Sequence, residues 1–291
     1  MSDDARSLAI ACCSGGFKGI FGHGILSALE AAGISAAAYA AASSSVFPAM
    51  CAAIGQAGEI GLRYWRSAIH TLHQPGNGMS EVVLHSIAEA RHLLRESLFQ
   101  PGRPRFLIAT SAVKTQEAAE LTQGDGARRL GRRLLLQAAR GDRSWRDQHL
   151  ESYIFDTAPG AQHRLTPDNI EAVTYASTRM LHAWSIPARV GDQPCIDAAY
   201  TCACPALELA RLGYREVIAI ATEPGPLYRD IFQSEPIPER LGDTIIHIIR
   251  PENDIATLGA DFTSVTEEGM IAAYEYGQQV GSAFAHSFTK S

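Results

Sequence analysis

Three consecutive serines, Ser43-Ser44-Ser45, close an apolar run that starts near Ile34, and the glycine turn Ser14-Gly15-Gly16 closes an earlier one, Leu8 to Cys12. A serine hydroxyl becomes a nucleophile when a neighbouring base takes its proton, and the backbone amides of a glycine turn suit the oxyanion that then forms. The same residue types have plainer uses. Serines cap helices through their side-chain oxygens, and a glycine turn can cradle phosphate. No G-x-x-x-x-G-K-[ST] occurs, and Gly22-His23-Gly24 has no strand directly before it, so nucleotide binding is disfavoured. Asp197 follows the run Ile186 to Ile196; taken alone, it reads as a turn carboxylate that accepts backbone N–H bonds.

The surrounding elements would bring these turns together. Leu8 to Cys12 is short, apolar and stopped by glycine, as a buried strand is. Phe21 to Ala32 carries Ile25, Leu26, Ala28 and Leu29 at helical spacing and ends at Gly33. A strand, the serine turn and a helix from Val46 to Ile54 follow, then an amphipathic helix from Glu59 to Leu72 and another from Met79 to Leu98. Phe106 to Val113, Glu216 to Ala221 and Thr244 to Ile249 read as further buried strands. The spacing also predicts helices from about Asn169 to Arg179, from Ala206 to Leu212 and from Thr266 to Phe284, with loop between Gln148 and Thr166 and between Asn253 and Ser264. This alternation predicts one domain over residues 1–291 with a three-layer α/β/α architecture and a mainly parallel central sheet. Both turns then lie at carboxyl ends of strands, where open α/β sheets place their chemistry.

Composition narrows the function classes. Lys and Arg number 25 against 31 Asp and Glu, a net charge of -6 that gives no general attraction to nucleic acid. The start, MSDDARS, is acidic and lacks the basic opening of a secretory signal, which predicts a cytoplasmic protein. No charge occurs between Ala31 and Gly58, but the stretch is mostly Ala and Ser and contains Gly33, Pro48 and Gly55, so it reads as buried strand plus helix rather than a membrane span. Cys12, Cys13, Cys51, Cys195, Cys202 and Cys204 match no common zinc or redox spacing and read as buried thiols; no metal or cofactor is expected. Seven arginines lie between Ala127 and Arg146. They form either a solvated surface helix or a cap that attracts an anionic head group or phosphate, and so a peripheral membrane contact.

In order and spacing these motifs resemble the patatin-like phospholipase family. Ser14-Gly15-Gly16-Phe17-Lys18-Gly19 matches the family's glycine loop, and the ungapped continuation places Ala41-Ala42-Ser43-Ser44-Ser45 over its G-x-S-x-G nucleophile turn. Asp197-Ala198-Ala199 matches its D-G-[GA] motif, with Pro205 downstream and the Ala176-Ser177 and Ile186-Pro187 landmarks before it. Ala41, Ser45 and Ala198 stand where the pattern has glycine.

The resemblance implies a serine esterase that cleaves lipid or lysophospholipid esters through an acyl-enzyme. Ser43 would be the nucleophile, with Ser44 as runner-up, and Asp197 a base acting without histidine. The N–H groups of Gly15, Gly16 and Phe17 would form the oxyanion hole, each donor contributing roughly 3 to 4 kcal/mol. Lys18 would fix the loop or bind an anionic substrate group. Three rivals stay open: an acyltransferase using the same dyad, a non-catalytic lipid- or partner-binding descendant, and a histidine triad, for which only His247 and His286 follow the acid.

Overall fold

The computed structural model describes residues 8–290; the acidic start MSDDARS, and the leader expectation drawn from it, lie outside them. β1 (Leu8–Cys12) runs through a 3-10 turn at Gly16–Lys18 into α1 (Gly19–Ala31), and β2 (Ala38–Ala42) runs through a 3-10 turn at Ser43–Ser45 into α2 (Val46–Ala53). Next come α3 (Ala57–Leu72), α4 (Met79–Glu89), β3 (Arg105–Val113), α5 (Gln116–Gln123), α6 (Ala127–Ala139) and α7 (Ser144–His149). β4 (Leu150–Asp156) and β5 (His163–Arg164) precede α8 (Ile170–Thr178). A hairpin of β6 (Arg189–Val190) and β7 (Gln193–Ile196) leads into α9 (Ala199–Cys202) and α10 (Ala206–Arg211). The chain closes with β8 (Glu216–Ile220), β9 (Arg240–Leu241), β10 (Thr244–Ile249) and α11 (Glu267–Phe288).

The sheet is mixed and mostly parallel, in the order β5-β4-β3-β2-β1-β8-β10-β9. β3, β2, β1, β8 and β10 run parallel, while β4 and β7 pair antiparallel with β3, β9 antiparallel with β10, and β5 parallel with β4. Successive strand residues point to opposite faces. Ile10, Cys12, Tyr39, Ala41, Phe106, Ile108, Ile218 and Ile220 pack with α1 to α4, α8 and α11. Ala9, Ala11, Ala38, Ala40, Leu107, Val217 and Ala219 pack with α10 on the other face. Helices thus cover both faces, and strands buried on both sides read as continuous apolar runs.

Two expectations are corrected. The helix expected over Met79 to Leu98 ends at Glu89, and a π-helical turn at Leu93–Ser97 follows it. The stretch expected as loop from Gln148 contains β4, which does not appear as an apolar run because Glu151, Ser152 and Tyr153 interrupt its apolar residues. Among the described residues no helix is long and apolar enough to cross a membrane, and the uncharged stretch 31–58 holds the end of α1, β2, the serine turn and α2.

α1, which follows the glycine loop, is fixed against α11 by backbone contact. A Cβ on Gly24 would stand 2.1 Å from the Tyr274 carbonyl oxygen, and one on Gly277 2.1 Å from that of Phe21. Any side chain at this crossing would push α1 away, so the glycines set where the loop ahead of α1 sits.

Candidate active site

Ser43, directly after β2, has φ of 57°, a left-handed conformation that non-glycine residues adopt rarely. Backbone strain of this kind is found at functional turns, strand-to-helix nucleophile turns among them. Its N–H donates to Ser177 Oγ at 2.8 Å, so α8 pins the turn from the side. The Ser45 hydroxyl donates to the Cys13 carbonyl, tying the turn to the strand that carries the glycine loop. A glycine at 45, as in the family pattern, would lack that tie.

Asp197 follows β7 and is fully buried. Ser43 Oγ donates to Asp197 Oδ2 at 2.8 Å, and the Ala199 N–H donates to Oδ1 at 2.7 Å. The backbone around the acid is equally fixed: Ser111 Oγ donates to the Asp197 carbonyl at 2.7 Å, and the Asp197 N–H to the Arg179 carbonyl at 3.0 Å. Burial pushes the Asp197 carboxyl up from 3.8 to about 7, against the opposing pull of the hydrogen bonds from Ala199 and Ser43. A carboxylate poised there can take a proton near neutral pH and return it.

The glycine loop lies against the serine turn. A Cβ on Gly15 would stand 2.5 Å from Thr222 Oγ1; one on Gly16, whose φ is 57°, would stand 2.0 Å from the Phe262 carbonyl oxygen. Only glycine fits at either position. The Gly15 and Gly16 N–H groups have no acceptor among the described residues, whereas the Phe17 N–H donates to the Phe262 carbonyl at 3.2 Å. Of the three expected oxyanion donors, two are therefore open and the third is occupied, because the segment after Asp261 lies over the loop.

Lys18 is 6 % exposed, and its Nζ lies 2.7 Å from Glu223 Oε1, 2.8 Å from Asp254 Oδ1 and 3.9 Å from Asp261 Oδ1. Burial works against its charge, but the hydrogen bonds to Asp254 and Glu223 together outweigh it and hold the ammonium above its ordinary value. Its charge is engaged within the chain, so of the two expected roles its contacts correspond to fixing the loop, not to meeting a substrate anion.

No histidine is hydrogen-bonded to Ser43 or Asp197 among the described residues. His23 accepts from Trp65 Nε1 at 3.0 Å on Nδ1 and donates from Nε2 to the Ala57 carbonyl, and burial pushes it down to about 4. His247, one of the two histidines that follow the acid, is half-buried; its Nε2 lies 3.4 Å from Glu216 Oε2 without a hydrogen bond among the described residues, and its ring packs on Phe284 and Phe288. All six cysteines are buried and unpaired, and burial raises the thiols of Cys12, Cys13, Cys51, Cys195 and Cys202, which suppresses the thiolate form.

Beside the two turns lies a narrow apolar cavity of ≈ 30 Å³, reached by Gly16, Phe17, Ser44 and Thr178 and walled by Phe47, Trp65, Met79, Val82, Val83 and Trp184. The Ser44 hydroxyl has no hydrogen-bond partner among the described residues. Tyr64 and Ser86 line both this cavity and a surface cleft of ≈ 260 Å³ between α3 and α4, and so stand between the two. Ser43 is 1 % exposed, so the arrangement is closed.

Ser111 and Arg179 were invisible to motif reading, since neither touches a reacting group and each acts through the backbone of Asp197. Ser177 carried a faint signal as part of the Ala-Ser landmark. The chain matches no model of a known protein family, and a search of curated proteins returned no match.

Proposed function

We propose that the protein is a serine acyl hydrolase of the patatin-like kind, cleaving carboxylic esters of lipids or lysophospholipids. The observation that carries this reading is the 2.8 Å hydrogen bond from Ser43, on a left-handed strand-to-helix turn, to the buried Asp197. Asp197 takes the hydroxyl proton as Ser43 Oγ bonds to the ester carbonyl carbon. The Gly15 and Gly16 amides meet the oxyanion. Asp197 then protonates the departing alkoxide, leaving acyl-Ser43, and activates a water that releases the acid by the same steps in reverse. The apolar cavity beside Ser44 suits the first carbons of the acyl chain, being far smaller than the ~150 Å³ that admits a benzene ring.

Intact-mass measurement after treatment with a fluorophosphonate tests the reading. Wild type and Ser44→Ala should gain one adduct and Ser43→Ala none. An adduct retained in Ser43→Ala would overturn the assignment. Stoichiometric acylation by a chromogenic ester, with turnover only when an alcohol or amine is added, would replace hydrolysis by acyl transfer.

A further inference from the structure

α6 carries four arginines and no acidic residue. Its inner face is Ala127, Leu130, Gly131, Leu134 and Ala138, which leaves Arg128, Arg129, Arg132 and Arg133 exposed. None of the four has an ion pair among the described residues, whereas Arg143 and Arg146 are paired with Asp147 and, for Arg146, Asp230. Leu135 and Leu136 stand among them, 36 % and 62 % exposed. Exposed leucine between unpaired guanidinium groups offers an anionic lipid surface both charge attraction and an apolar side chain to insert. On a protein of net charge -6 the patch is a local exception, and it would orient the molecule toward an anionic surface.

We propose that the outer face of α6 docks on an anionic phospholipid bilayer, with its arginines on lipid phosphates and Leu136 inserted below them. The location favours this over a chance patch. Gly131 packs so closely on the loop after α8 that a Cβ there would stand 2.5 Å from the His182 nitrogen. The His182 ring stacks on Phe262 at 5.8 Å, and the Phe262 carbonyl holds the Phe17 N–H of the glycine loop. The docking face is thus two side chains from the candidate site. Docking goes beyond ester cleavage and does not depend on it.

Co-sedimentation of the full chain with phosphatidylcholine vesicles, with and without phosphatidylglycerol, tests it. The wild type should bind only the anionic vesicles, less at high salt. Arg129→Gln with Arg133→Gln should weaken partitioning on the order of 25-fold, about fivefold per arginine, and Leu136→Ser should weaken it further. All three sites are exposed, so unchanged far-UV circular dichroism and fluorophosphonate labelling without vesicles would show the fold intact. No binding to anionic vesicles, or equal binding by the arginine variant, would overturn the proposal. Binding indifferent to Leu136→Ser and competed by single-stranded RNA would also overturn it, assigning the face to a soluble polyanion. Failure of wild-type labelling would instead count against the hydrolase reading alone.

Discussion

Replacing Asp197 by Asn should make the protein more stable and nearly inactive, with the two effects separable by pH. The acid is completely buried, and its carboxyl is raised from 3.8 to about 7 chiefly by that burial. Holding it ionised in the folded state therefore costs on the order of 4 kcal/mol. For a raised carboxyl the stabilising contribution is fully present below the unfolded value of 3.8 and declines as pH rises toward the folded value of about 7, staying flat above it. Asn is neutral throughout. Its carbonyl can still accept the Ala199 N–H, and the Ser43 hydroxyl can turn to accept from its amide. Because other titrations are common to both proteins, the stability gap between Asp197→Asn and wild type should widen by ~2.5 kcal/mol between about pH 5 and about pH 8.

Urea unfolding of both proteins at the two pH values measures that gap. The labelling rate with fluorophosphonate measures the chemistry on the same samples. Wild-type labelling should fall about tenfold per pH unit below about 7 as Asp197 takes up its proton, and the variant should be slower by roughly 10²- to 10⁴-fold at the plateau. A gap that stays constant with pH would show that burial does not raise this carboxyl. A variant labelled at the wild-type rate would show that Asp197 is not the base, whatever its stability.

Three further outcomes follow from the geometry. Gly16→Ala puts a methyl 2.0 Å from the Phe262 carbonyl in a left-handed conformation; it should lower unfolding free energy by at least ~2 kcal/mol and abolish labelling. Ser177→Ala removes the acceptor of the buried Ser43 N–H; a loss of ~1 to 3 kcal/mol is expected in urea unfolding, together with slower labelling. Tyr64→Ala opens the partition between the cavity and the cleft; on a series of nitrophenyl esters the preference should move toward longer acyl chains, and an unchanged preference would exclude this route for the chain.

The sheet was legible because β1, β2, β3 and β8 are buried on both faces, and β10 is isoleucine-rich though only partly buried, so that all five appear as apolar runs cut by glycine or charge. β4 was not, since only part of it is buried and its middle residues are polar. The helix expected to reach Leu98 has no proline or glycine to announce its end at Glu89, and its apolar spacing continues through the π-helical turn. At the site, Ser43 and the glycines could be picked out by residue type and turn position. The partners that hold them could not. Ser111, Ser177 and Arg179 are ordinary letters whose roles depend on which backbone group they meet. Phe262 acts through a carbonyl that every residue owns.

That carbonyl bears on how the proposed reaction distributes its binding energy. At rest the Phe17 N–H is bonded to a neutral acceptor, an interaction of net value ~1 kcal/mol. A developing oxyanion is charged, and hydrogen bonds to charged groups are roughly twice as strong. The donor therefore gains by changing partner only once negative charge has formed, and gains little by leaving Phe262 for an uncharged ester oxygen. The Gly15 and Gly16 amides, already open, would polarise substrate from the outset, while Phe17 would stabilise the transition state selectively, the condition for an interaction to raise the rate rather than merely tighten binding. The exchange requires the segment around Phe262 to yield, and Lys18 restrains that segment from one side through Asp254 and Asp261 while the His182 ring stacks on it from the other.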